Sequence, residues 1–436
     1  MKICASLSSD SDVRSIKKAD MAEVRLDILG HVPEVKGKEL IVTFRETPDI
    51  SLLPKGFKGM IDVGEFDVPD VDFDVISSVH NYDSTPSAKE ISSLLKKQKG
   101  DVKKGAFKVN SFTDLKSIYD SSKQIEGRHV LLGMGGLGTI TRIRQDLLGN
   151  LFTFAYVGEP TAPGQLSLDE MYSLGDDPMI LGILGHPLEK SLSPKMHNAV
   201  MKKKGIKGIY IKFDTDDLGH IEDVIRDYNI RGLNVTIPHK SSILEHLDEI
   251  DKDVEFIGAA NTVVNDNGTL KGCNTDIIGI EKAMKAAGFD PKGKRALIMG
   301  SGGVARSCSY ILRKEGCDVT VTGRNEETSR SICRDLGCEY KAKESVALML
   351  YDIIINCTPV GMYGDDDYPI NICQITRHHT VFDMVYGIET PLINRAKARE
   401  AAIVSGEDML AAQGAASLEL WSGKKDLFKP MREALR

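Results

Sequence analysis

The sequence predicts an α/β protein with a shortened N-terminal (β/α)8 barrel, followed by two further α/β units of which the last is of the Rossmann type. Three observations predict this fold class. The first 160 residues or so hold eight short β-rich runs, the remaining 260 alternate strand and helix patterns, and a glycine-rich loop at Gly300 joins a strand pattern to a helix pattern. At roughly 100–200 residues per domain, 436 residues accommodate this arrangement.

The composition excludes several classes of protein. With 41% hydrophobic residues, 27% charged residues and a net charge of −7, the chain lacks the basic character of a nucleic-acid-binding protein. The first residues, "MKICASLSSD", turn polar too early for a signal peptide, and no apolar run reaches the roughly 18 residues of a membrane span. The eight cysteines are scattered without a CxxC pair, so we expect reduced thiols and no metal site. These features favour a cytoplasmic enzyme without a nucleic-acid or membrane partner.

The barrel prediction depends on eight β-rich runs with polar segments between them. They are "ICASLS", "AEVRLDIL", "LIVTF", "GMIDVG", "VISSVH", "AFKVN", "HVLLGM" and "FTFAYV". Only about ten residues separate the second run from the third, which is too few for a covering helix. The barrel is therefore trimmed below the roughly 200 residues of the usual fold. A partner subunit, in a homo-oligomer, or the second domain would then cover the exposed sheet.

Two stretches of the barrel carry groups for covalent catalysis. "SSVHNYDSTPS" holds His80, and "GDVKKGAFKVNS" holds Lys103, Lys104 and Lys108. In a barrel, functional groups project from the carboxyl ends of strands. A lysine there can form a Schiff base with a ketone, which acidifies the neighbouring carbon. A histidine can then remove that proton and later protonate a leaving hydroxyl. The residues alone leave the choice among the three lysines open.

Residues 1–173 resemble the type I, Schiff-base class of 3-dehydroquinate dehydratase. The resemblance implies His80 as the acid–base and Lys104 as the imine-forming lysine. It also implies six residues that bind dehydroquinate: Glu23 and Arg25 in "AEVRLD", Arg45 in "IVTFRE", Arg142 in "GTITRIR", and Thr161 and Gln165 in "TAPGQLS". The family also has a glutamate that supports the histidine, for which Glu46 and Asp49 are the candidates.

The glycine-rich loop has the G-x-G-x-x-A pattern of a dinucleotide site. It follows the apolar run Ala296–Met299 and opens a helix pattern, so its backbone can approach a pyrophosphate at the helix N-terminus. The candidate cofactor contacts in this loop are Gly300, Ser301, Gly302, Gly303 and Val304. The second strand ends in Arg324 with no acid for a ribose hydroxyl, which favours NADP over NAD. Glu326 and Glu327 are expected to begin the next helix.

A reductase that uses this cofactor also needs a proton donor. Two stretches before the loop offer one. Lys240 follows a strand that ends in "GLNVTIPHK", and Asp276 lies at the start of a helix in "GCNTDIIG". A lysine beside a carboxylate can relay a proton to a substrate oxygen while the pair stays charge-balanced. We expect these two residues to act together.

Residues 179–436 resemble shikimate dehydrogenase, on motifs that occur in the order of that family. The resemblance implies Lys240 and Asp276 as the catalytic pair. The implied shikimate-binding residues are Ser191 and Ser193 in "GHPLEKSLSPKMHN", Thr236 in "NVTIPHK", Asn261 in "AANTVV", Tyr386 in "FDMVYG", and Gln413 in "GEDMLAAQGAAS". Further implied cofactor contacts are Thr358 in "NCTPVGM", Met384 in "FDMVYG", and Gly406. Where the family often has histidine, this chain has Lys190.

Together these resemblances predict a fused enzyme with two active sites. The barrel (1–173) would dehydrate 3-dehydroquinate to 3-dehydroshikimate through a lysine imine and no other cofactor. A shikimate-binding domain (179–291, completed by helices at about 405–436) and a Rossmann domain (292–404) would reduce 3-dehydroshikimate to shikimate with NADPH. The alternative is a quinate or shikimate dehydrogenase that uses NAD, fused to a non-catalytic barrel that serves as a scaffold.

Overall fold

Eight parallel strands form the barrel that the sequence predicts. In sheet order β7-β6-β5-β4-β3-β2-β1-β8, each strand pairs with its neighbours in parallel. The strands are β1 Ile3–Leu7, β2 Met21–Arg25, β3 Glu39–Thr43, β4 Met60–Asp62, β5 Val75–Asn81, β6 Val102–Lys108, β7 His129–Met134 and β8 Thr153–Val157. The side-chain amide of Asn150 helps to close the sheet, because it accepts from the Leu131 N–H at 2.7 Å and donates to the Leu131 carbonyl at 2.8 Å. The computed structural model describes residues 1–365 and 367–436.

The helices confirm that the barrel is trimmed. They are α1 Leu26–Leu29, α2 Ala88–Lys97, α3 Phe112–Ser122, α4 Thr139–Ile143 and α5 Leu168–Leu174. Only α2 and α3 exceed two turns, and both begin with a capping box in which a serine and an acidic residue three positions later satisfy each other's backbone N–H groups. The half of the barrel that precedes β5 has only short helical turns outside its strands.

Apolar side chains fill the barrel and partly cover its trimmed side. The interior cluster includes Cys4, Met21, Met60, Leu132 and Phe154, which come from five different strands. On the outside of β3 to β5 a second cluster packs against loops and short helical turns rather than against long helices. The partly buried members of that cluster are Leu26, Val32, Ile50, Leu53, Phe57, Val68, Val71 and Phe73. Loops thus replace part of the missing helical layer.

A second, mixed sheet of six strands follows, in the order β10-β9-β11-β13-β14-β12. Its strands are β9 Met179–Gly185, β10 Gly208–Asp214, β11 Ile230–Val235, β12 Glu249–Ile250, β13 Thr262–Asp266 and β14 Thr269–Cys273. The accompanying helices are α6 Ser193–Lys203, α7 Ile221–Asp227, α8 Lys252–Ile257 and α9 Asp276–Ala286. Strand β13 runs antiparallel to both β11 and β14.

The third sheet is the parallel Rossmann sheet, in the order β17-β16-β15-β18-β19-β20. Its strands are β15 Arg295–Met299, β16 Asp318–Thr322, β17 Glu339–Tyr340, β18 Ile353–Asn356, β19 Thr380–Asp383 and β20 Ala402–Val404. Its helices are α10 Gly303–Lys314, α11 Glu326–Leu336 and α12 Pro391–Ala398. The order reverses direction beside β15, which is where such sheets bind ligands.

Two C-terminal helices, α13 Gly406–Ser422 and α14 Phe428–Leu435, complete the chain. Helix α13 packs closely on α9, because a side chain at Gly279 would lie 2.9 Å from the Met409 carbonyl oxygen. Trp421 donates its indole N–H to the Val263 carbonyl at 2.9 Å and is 2% exposed. By its internal contacts the chain forms two units, Met1–Leu181 with Lys207–Ile230 and Gly182–Ile206 with Arg231–Arg436. No helix of the described residues is both long and apolar enough to cross a membrane.

Candidate active sites

One cleft in the barrel brings together all eight residues that are predicted from the sequence to bind or convert dehydroquinate. Its empty volume is about 560 Å³. The nominated residues among its lining are Glu23, Arg25, Arg45, His80, Lys104, Arg142, Thr161 and Gln165. They come from different strands and from the segments that follow those strands, as a site at the carboxyl ends of a barrel requires.

Strand geometry distinguishes the three candidate lysines. Side chains alternate along a strand, and Val102 and Ala106 belong to the interior cluster, so Lys104 between them also points inward. Lys104 is 4% exposed and lines the cleft. Lys103 has the opposite orientation, and neither Lys103 nor Lys108 lines the cleft. The structure therefore places Lys104 alone among the three in the cleft.

Lys104 forms an ion pair with Asp62, which was not among the site residues predicted from the sequence. Its Nζ lies 2.8 Å from Asp62 Oδ2 and 4.6 Å from the centre of the Phe154 ring. Asp62 is fully buried, and its other oxygen accepts from Ser78 Oγ at 2.6 Å and from the Gly64 N–H at 3.0 Å. Burial alone would raise the pKa of Asp62, but the Lys104 charge and these hydrogen bonds hold it below its usual value. The available sequence signal was the single acid within the run "GMIDVG", which the structure places at the end of β4.

His80 lies on the strand next to Lys104 and faces the same side. Ser78 is the register partner of Lys104, so His80, two residues later, projects on the same face closer to the cleft mouth. The Arg45 guanidinium lies 3.3–3.4 Å from the His80 ring nitrogens, and Tyr82 stacks on the ring with centres 6.0 Å apart. Burial, followed by the charges of Lys104 and Arg45, lowers the pKa of His80 to about 3. The imidazole is therefore neutral at pH 7 and able to accept a proton.

The two acids considered as supports for His80 lie elsewhere. Glu46 is exposed, and the Asp49 side chain accepts from Ser51, at 2.6 Å from its hydroxyl. Among the described residues neither acid hydrogen-bonds to the histidine. The carboxylate whose charge acts on His80 is Asp62. Its negative charge raises the pKa of His80 and so partly opposes the lowering by burial and by the nearby cations.

Arg142 is a buried cation without an ion-pair partner among the described residues. It is 2% exposed, its Nη1 donates to the Gly133 carbonyl, and its Nε has no hydrogen-bond partner. Burial lowers the pKa of Arg142 to about 10, so it remains charged at pH 7. A buried, unpaired guanidinium that lines a cleft is suited to an anionic ligand such as a carboxylate.

The remaining barrel residues are held by hydrogen bonds at the cleft rim. Glu23 accepts from Ser6 Oγ at 2.6 Å and from Thr43 Oγ1 at 2.8 Å. Arg25 pairs with Asp27 and donates to the Thr161 carbonyl at 3.4 Å. The side-chain oxygens and nitrogens at this rim suit a ligand rich in hydroxyl groups.

The segment after β8 is fixed by Gln165. Its side-chain oxygen accepts from the Thr161 N–H at 2.9 Å, from the Thr161 hydroxyl at 3.1 Å and from the Ala162 N–H at 3.1 Å. This arrangement leaves the Gln165 amide nitrogen free to donate, since none of these bonds uses it.

In the other unit, Lys240, Asp276 and Asn261 form a hydrogen-bonded group. Lys240 Nζ lies 2.5 Å from Asp276 Oδ2, and Asn261 Nδ2 donates to the second Asp276 oxygen at 2.8 Å. The Asn261 side-chain oxygen Oδ1 accepts from the Thr275 N–H at 2.7 Å, which fixes the orientation of the side-chain amide. The three side chains start from the segment after β11, the start of α9 and the segment before β13. They can hold a proton donor at a fixed point.

The other predicted substrate residues lie at the ends of neighbouring elements. Ser193 begins α6, and its N–H donates to Ser191 Oγ at 3.4 Å. Thr236 directly follows β11. Gln413 lies on α13, where the helix packs on α9: a side chain at Gly279 would lie 3.1 Å from the Gln413 Cβ. Tyr386 follows β19, and burial raises the pKa of its hydroxyl. None of these five predicted residues, all in the described part of the chain, hydrogen-bonds directly to the Lys240 group.

The glycine-rich loop has the geometry of a pyrophosphate site. Gly300 has φ +115°, and a side chain there would lie 3.0 Å from the Cys357 carbonyl oxygen, so glycine is required. A side chain at Gly302 would meet nothing within 4 Å, which leaves open space at the N-terminus of α10. A side chain at Gly303 would meet the Lys240 side chain at 2.9 Å. The start of α10 therefore lies against the stem of Lys240.

The end of β16 fits a phosphorylated ribose. Arg324 is exposed and forms no ion pair with any described residue. Glu326 and Glu327 begin α11 as expected, and Glu326 pairs with Arg330 at 2.7 Å. Ser301 accepts from the Thr328 hydroxyl at 2.8 Å beside this point. Because the Arg324 guanidinium has no ion-pair partner among the described residues and Glu326 is paired with Arg330, the site fits the 2′-phosphate of NADP better than the 2′-hydroxyl of NAD.

A hydrogen-bonded group of buried polar side chains lies beside the remaining residues that are predicted to contact the cofactor. Thr358 donates its hydroxyl to Asn356 Oδ1 at 2.6 Å, and Asn356 Nδ2 donates to Asp383 at 2.9 Å. Burial raises the pKa of Asp383. Met384 follows Asp383, and a side chain at Gly406 would lie 2.5 Å from the Asp383 carbonyl oxygen. The described residues contain no cluster of three or more His, Cys, Asp or Glu that could hold a metal ion.

Comparison with protein families gives matches in both halves of the chain. Residues 69–175 match the model described as type I 3-dehydroquinase. Residues 183–263 match the shikimate dehydrogenase substrate binding domain, and residues 406–436 match the shikimate 5′-dehydrogenase C-terminal domain.

Individual proteins resemble the second half. The chain is 39% identical over 270 residues to a shikimate dehydrogenase (NADP(+)) of Methanococcus maripaludis, a match that covers 59% of this chain and 96% of the relative. A crystal structure of the Thermus thermophilus shikimate 5-dehydrogenase with NADP(H) and shikimate has 33% identity and a TM-score of 0.53, and covers 59% of this chain and 98% of that one. The structure of a quinate dehydrogenase from Corynebacterium glutamicum with NAD has 28% identity and a TM-score of 0.55. This match covers 59% of this chain and 99% of the quinate dehydrogenase chain.

Proposed function

The chain belongs to the shikimate dehydrogenase family and carries a type I 3-dehydroquinase module ahead of it, and from this premise we propose that it catalyses two successive reactions. It dehydrates 3-dehydroquinate to 3-dehydroshikimate, and it reduces 3-dehydroshikimate to shikimate with NADPH. The observation that carries the proposal is that each half contains its own buried lysine–aspartate pair beside the residues expected to bind a polar substrate. The product of the barrel is the substrate of the second site.

In the barrel we propose that Lys104 is the nucleophile. Its amine, once it has lost a proton, adds to the ketone carbon of 3-dehydroquinate, and loss of water gives an iminium that draws electrons from the neighbouring carbon. Asp62 holds Nζ at 2.8 Å before the reaction and stabilises the positive charge that the iminium retains. The neutral amine, not the ammonium, attacks, so proton removal precedes the addition.

His80 is proposed as the acid–base in the same site. The ring is neutral in the free protein, so it can take the proton from the acidified carbon, and the imidazolium that forms can then donate that proton to the departing hydroxyl. Arg142 is proposed to bind the substrate carboxylate, because a buried cation without an ion-pair partner among the described residues is stabilised by an anion. Glu23, Arg25, Arg45, Thr161 and Gln165 are proposed to bind the hydroxyl and carboxylate oxygens.

In the second site we propose that Lys240 donates the proton to the developing alkoxide. Bound NADPH supplies the hydride. Asp276 holds the Lys240 ammonium at 2.5 Å, and Asn261 fixes the other carboxylate oxygen, so the proton lies at a defined position. The proposed shikimate contacts are Ser191, Ser193, Thr236, Asn261, Tyr386 and Gln413. The proposed cofactor contacts are Gly300 to Val304, Arg324, Thr358, Met384 and Gly406.

The domain bounds remain a prediction and form part of the proposal. We propose a barrel at 1–173, a substrate domain at 179–291 that α13 and α14 complete, and a Rossmann domain at 292–404. The packing of α13 on α9 and the Trp421 bond to Val263 support the assignment of the C-terminal helices to the substrate domain. All eight cysteines are free thiols, which supports a location in the cytoplasm.

The alternative is a quinate or shikimate dehydrogenase that uses NAD, with the barrel as a scaffold. The similarity to the structure of a quinate dehydrogenase with bound NAD supports this alternative. The free Arg324 argues against NAD, and the cluster around Lys104 argues against a scaffold.

A coupled assay tests the proposed function. Purified protein is mixed with 3-dehydroquinate and NADPH, and both NADPH oxidation and shikimate formation are followed. We expect one shikimate for each NADPH consumed, and a rate with NADPH at least about tenfold above that with NADH. NADPH oxidation with 3-dehydroshikimate but none with 3-dehydroquinate would contradict the dehydratase assignment. Equal or higher rates with NADH would contradict the cofactor assignment.

A further inference from the structure

Residues 207–230 belong to the shikimate dehydrogenase substrate-binding match, yet they pack with the barrel. The match runs from 183 to 263. By its contacts, however, the segment Lys207–Ile230, which contains β10 and α7, joins Met1–Leu181 in one unit. Within that unit it lies on α3 of the barrel. We call this contact between α3 and residues 207–230 the joint.

Aromatic pairs form the centre of the joint. Phe112, at the start of α3, stacks on Phe213 of β10 with ring centres 5.8 Å apart and an angle of 23° between the planes. Both rings are 0% exposed. Further along the helix, Tyr119 packs on Tyr228 with centres 5.5 Å apart. Buried aromatic pairs of this kind are typical of a folded core and of permanent interfaces.

Two polar contacts also cross the joint. The Tyr228 hydroxyl donates to the Leu115 carbonyl at 3.0 Å and is fully buried, so this bond cannot be exchanged for water without opening the contact. Lys116 Nζ lies 3.1 Å from Asp227 and 2.6 Å from Asp120. The ion pair joins the end of α7 to the middle of α3.

The α3 residues that take part lie along one stripe of the helix. Phe112, Leu115, Lys116 and Tyr119 are spaced by three or four residues, which places them on one helical face. At the start of the stripe, a side chain at Gly219 would lie 3.1 Å from Thr113 Oγ1, so the segment approaches the helix too closely there for an unhindered side chain. The helix therefore has one face for its own sheet and one for residues 207–230.

From this arrangement we infer that residues 207–230 are a structural part of the dehydratase barrel as well as of the dehydrogenase. The barrel module then extends beyond 173, and the two enzymes share a core across the joint. Helix α3 directly follows the strand that carries Lys104, and α7 precedes the strand that leads to Thr236 and Lys240. The joint thus supports the framework of both proposed sites.

The first test asks whether a substitution in residues 207–230 increases the hydrogen exchange of α3 in the barrel. We compare Phe213→Ala with Phe382→Ala, which removes an equally buried phenylalanine from the Rossmann sheet. Hydrogen exchange is measured by mass spectrometry in the full chain, a readout that does not depend on either activity. In Phe213→Ala we expect exchange of α3 peptides (112–122) to rise by on the order of 100-fold or more. In Phe382→Ala those peptides should exchange as in the wild type.

A milder variant keeps the test valid where Phe213→Ala fails to fold. Tyr228→Phe removes only the hydroxyl bonded to the Leu115 carbonyl, and α3 exchange should rise by about fivefold. Faster exchange confined to residues 207–230, with α3 unchanged in both variants, would overturn the inference.

Cutting the chain gives a second test. A protease site is inserted between the exposed Asp176 and Asp177, and the folded full-length protein is then cleaved. We expect both fragments to elute together in gel filtration at micromolar concentration, and to separate when Phe213 and Tyr228 are both changed to alanine. Separation of the wild-type fragments, or persistent association of the doubly changed ones, would contradict a core shared through the joint.

Discussion

Each half of the chain contains a buried lysine–aspartate pair, and the two pairs differ in what surrounds them. Lys104 and Asp62 lie 2.8 Å apart, with side chains 5% and 0% exposed, and Lys240 and Asp276 lie 2.5 Å apart, with side chains 11% and 5% exposed. The ion pairs themselves are thus nearly alike. Their chemistry must be decided by their neighbours.

Beside the barrel pair, Arg45 and Arg25 act on His80 together with Lys104, whereas the pair in the other half is bonded to the neutral amide of Asn261. In the barrel, burial, followed by the charges of Lys104 and Arg45, keeps the His80 imidazole neutral, so a group that can accept a proton lies beside the Lys104 amine. In the other half, the second Asp276 oxygen is bonded to the Asn261 amide, an arrangement that under the proposed function holds Lys240 as a proton donor. Under the proposed function, the same kind of residue pair would serve as a nucleophile in one site and as a proton donor in the other, according to the groups around it.

The largest expected effect is the loss of dehydration on removal of Lys104. Lys104→Met retains most of the side-chain volume and should lower the dehydratase rate by on the order of 10⁵-fold, as for other essential nucleophiles. The dehydrogenase rate with 3-dehydroshikimate should not change, which also checks that the protein is folded. Lys103→Met is the matched control, because that side chain points away from the cleft, and it should retain full activity. A rate within tenfold of wild type in Lys104→Met would contradict the imine mechanism.

Removal of Lys240 should have a smaller effect, restricted to the other site. Lys240→Met is expected to lower kcat of the dehydrogenase by about 10²–10⁴-fold, the range for a general acid, while the Kd of NADPH changes little. Dehydratase activity should be unaffected. Lys252→Met, an exposed lysine on α8, is the control. An unchanged kcat, or a loss that appears only as weaker NADPH binding, would mean that Lys240 does not donate the proton.

Arg142 allows a test of the unpaired cation. Arg142→Met should raise KM for 3-dehydroquinate by about 10–100-fold, because a charged hydrogen bond to the substrate is lost. The same change should raise the melting midpoint of the barrel by about 2–4 °C, since a desolvated charge without an ion-pair partner is replaced by an apolar side chain. Arg128→Met, which removes an exposed pair with Asp74, should change neither quantity. A lower melting midpoint with an unaltered KM would assign Arg142 a structural role.

The smallest effect concerns the titration of His80. Its pKa is about 3 in the folded protein and about 6.5 when unfolded, so the unfolded chain binds more protons between these values. Its contribution to stability is therefore present above pH 6.5 and is lost as the pH falls toward 3. In Lys104→Met one of the charges that lower the pKa is absent, so the His80 pKa should rise, as NMR titration of the ring protons can show. An unchanged or lower pKa would indicate that Lys104 does not act on the histidine.

Much of the fold and of both sites follows from the sequence, because the β-rich runs and the motifs are local features. The eight strands and the glycine loop are confirmed. Asp62 was missed because a lone acid in a short run gives no periodic pattern. Strand alternation could not separate Lys103 from Lys104 beforehand, since Phe107 on the opposite face is as buried as the interior residues.

The joint could not be predicted for a different reason. Phe213 and Tyr228 look like ordinary core residues of their own domain, and nothing local shows that they pack on α3. Such long-range pairing depends on the folded arrangement rather than on any motif, in the same way that the ion pair of Lys104 with Asp62 does.

Borohydride trapping tests the central claim most directly. The protein is incubated with 3-dehydroquinate, reduced with sodium borohydride, digested, and mapped by mass spectrometry. We predict one reduced adduct, on Lys104, with none on Lys103, Lys108 or Lys240, and none at all in Lys104→Met. The absence of an adduct in the wild type, or an adduct on Lys240 or another lysine, would contradict the claim that the two lysine–aspartate pairs perform different chemistry.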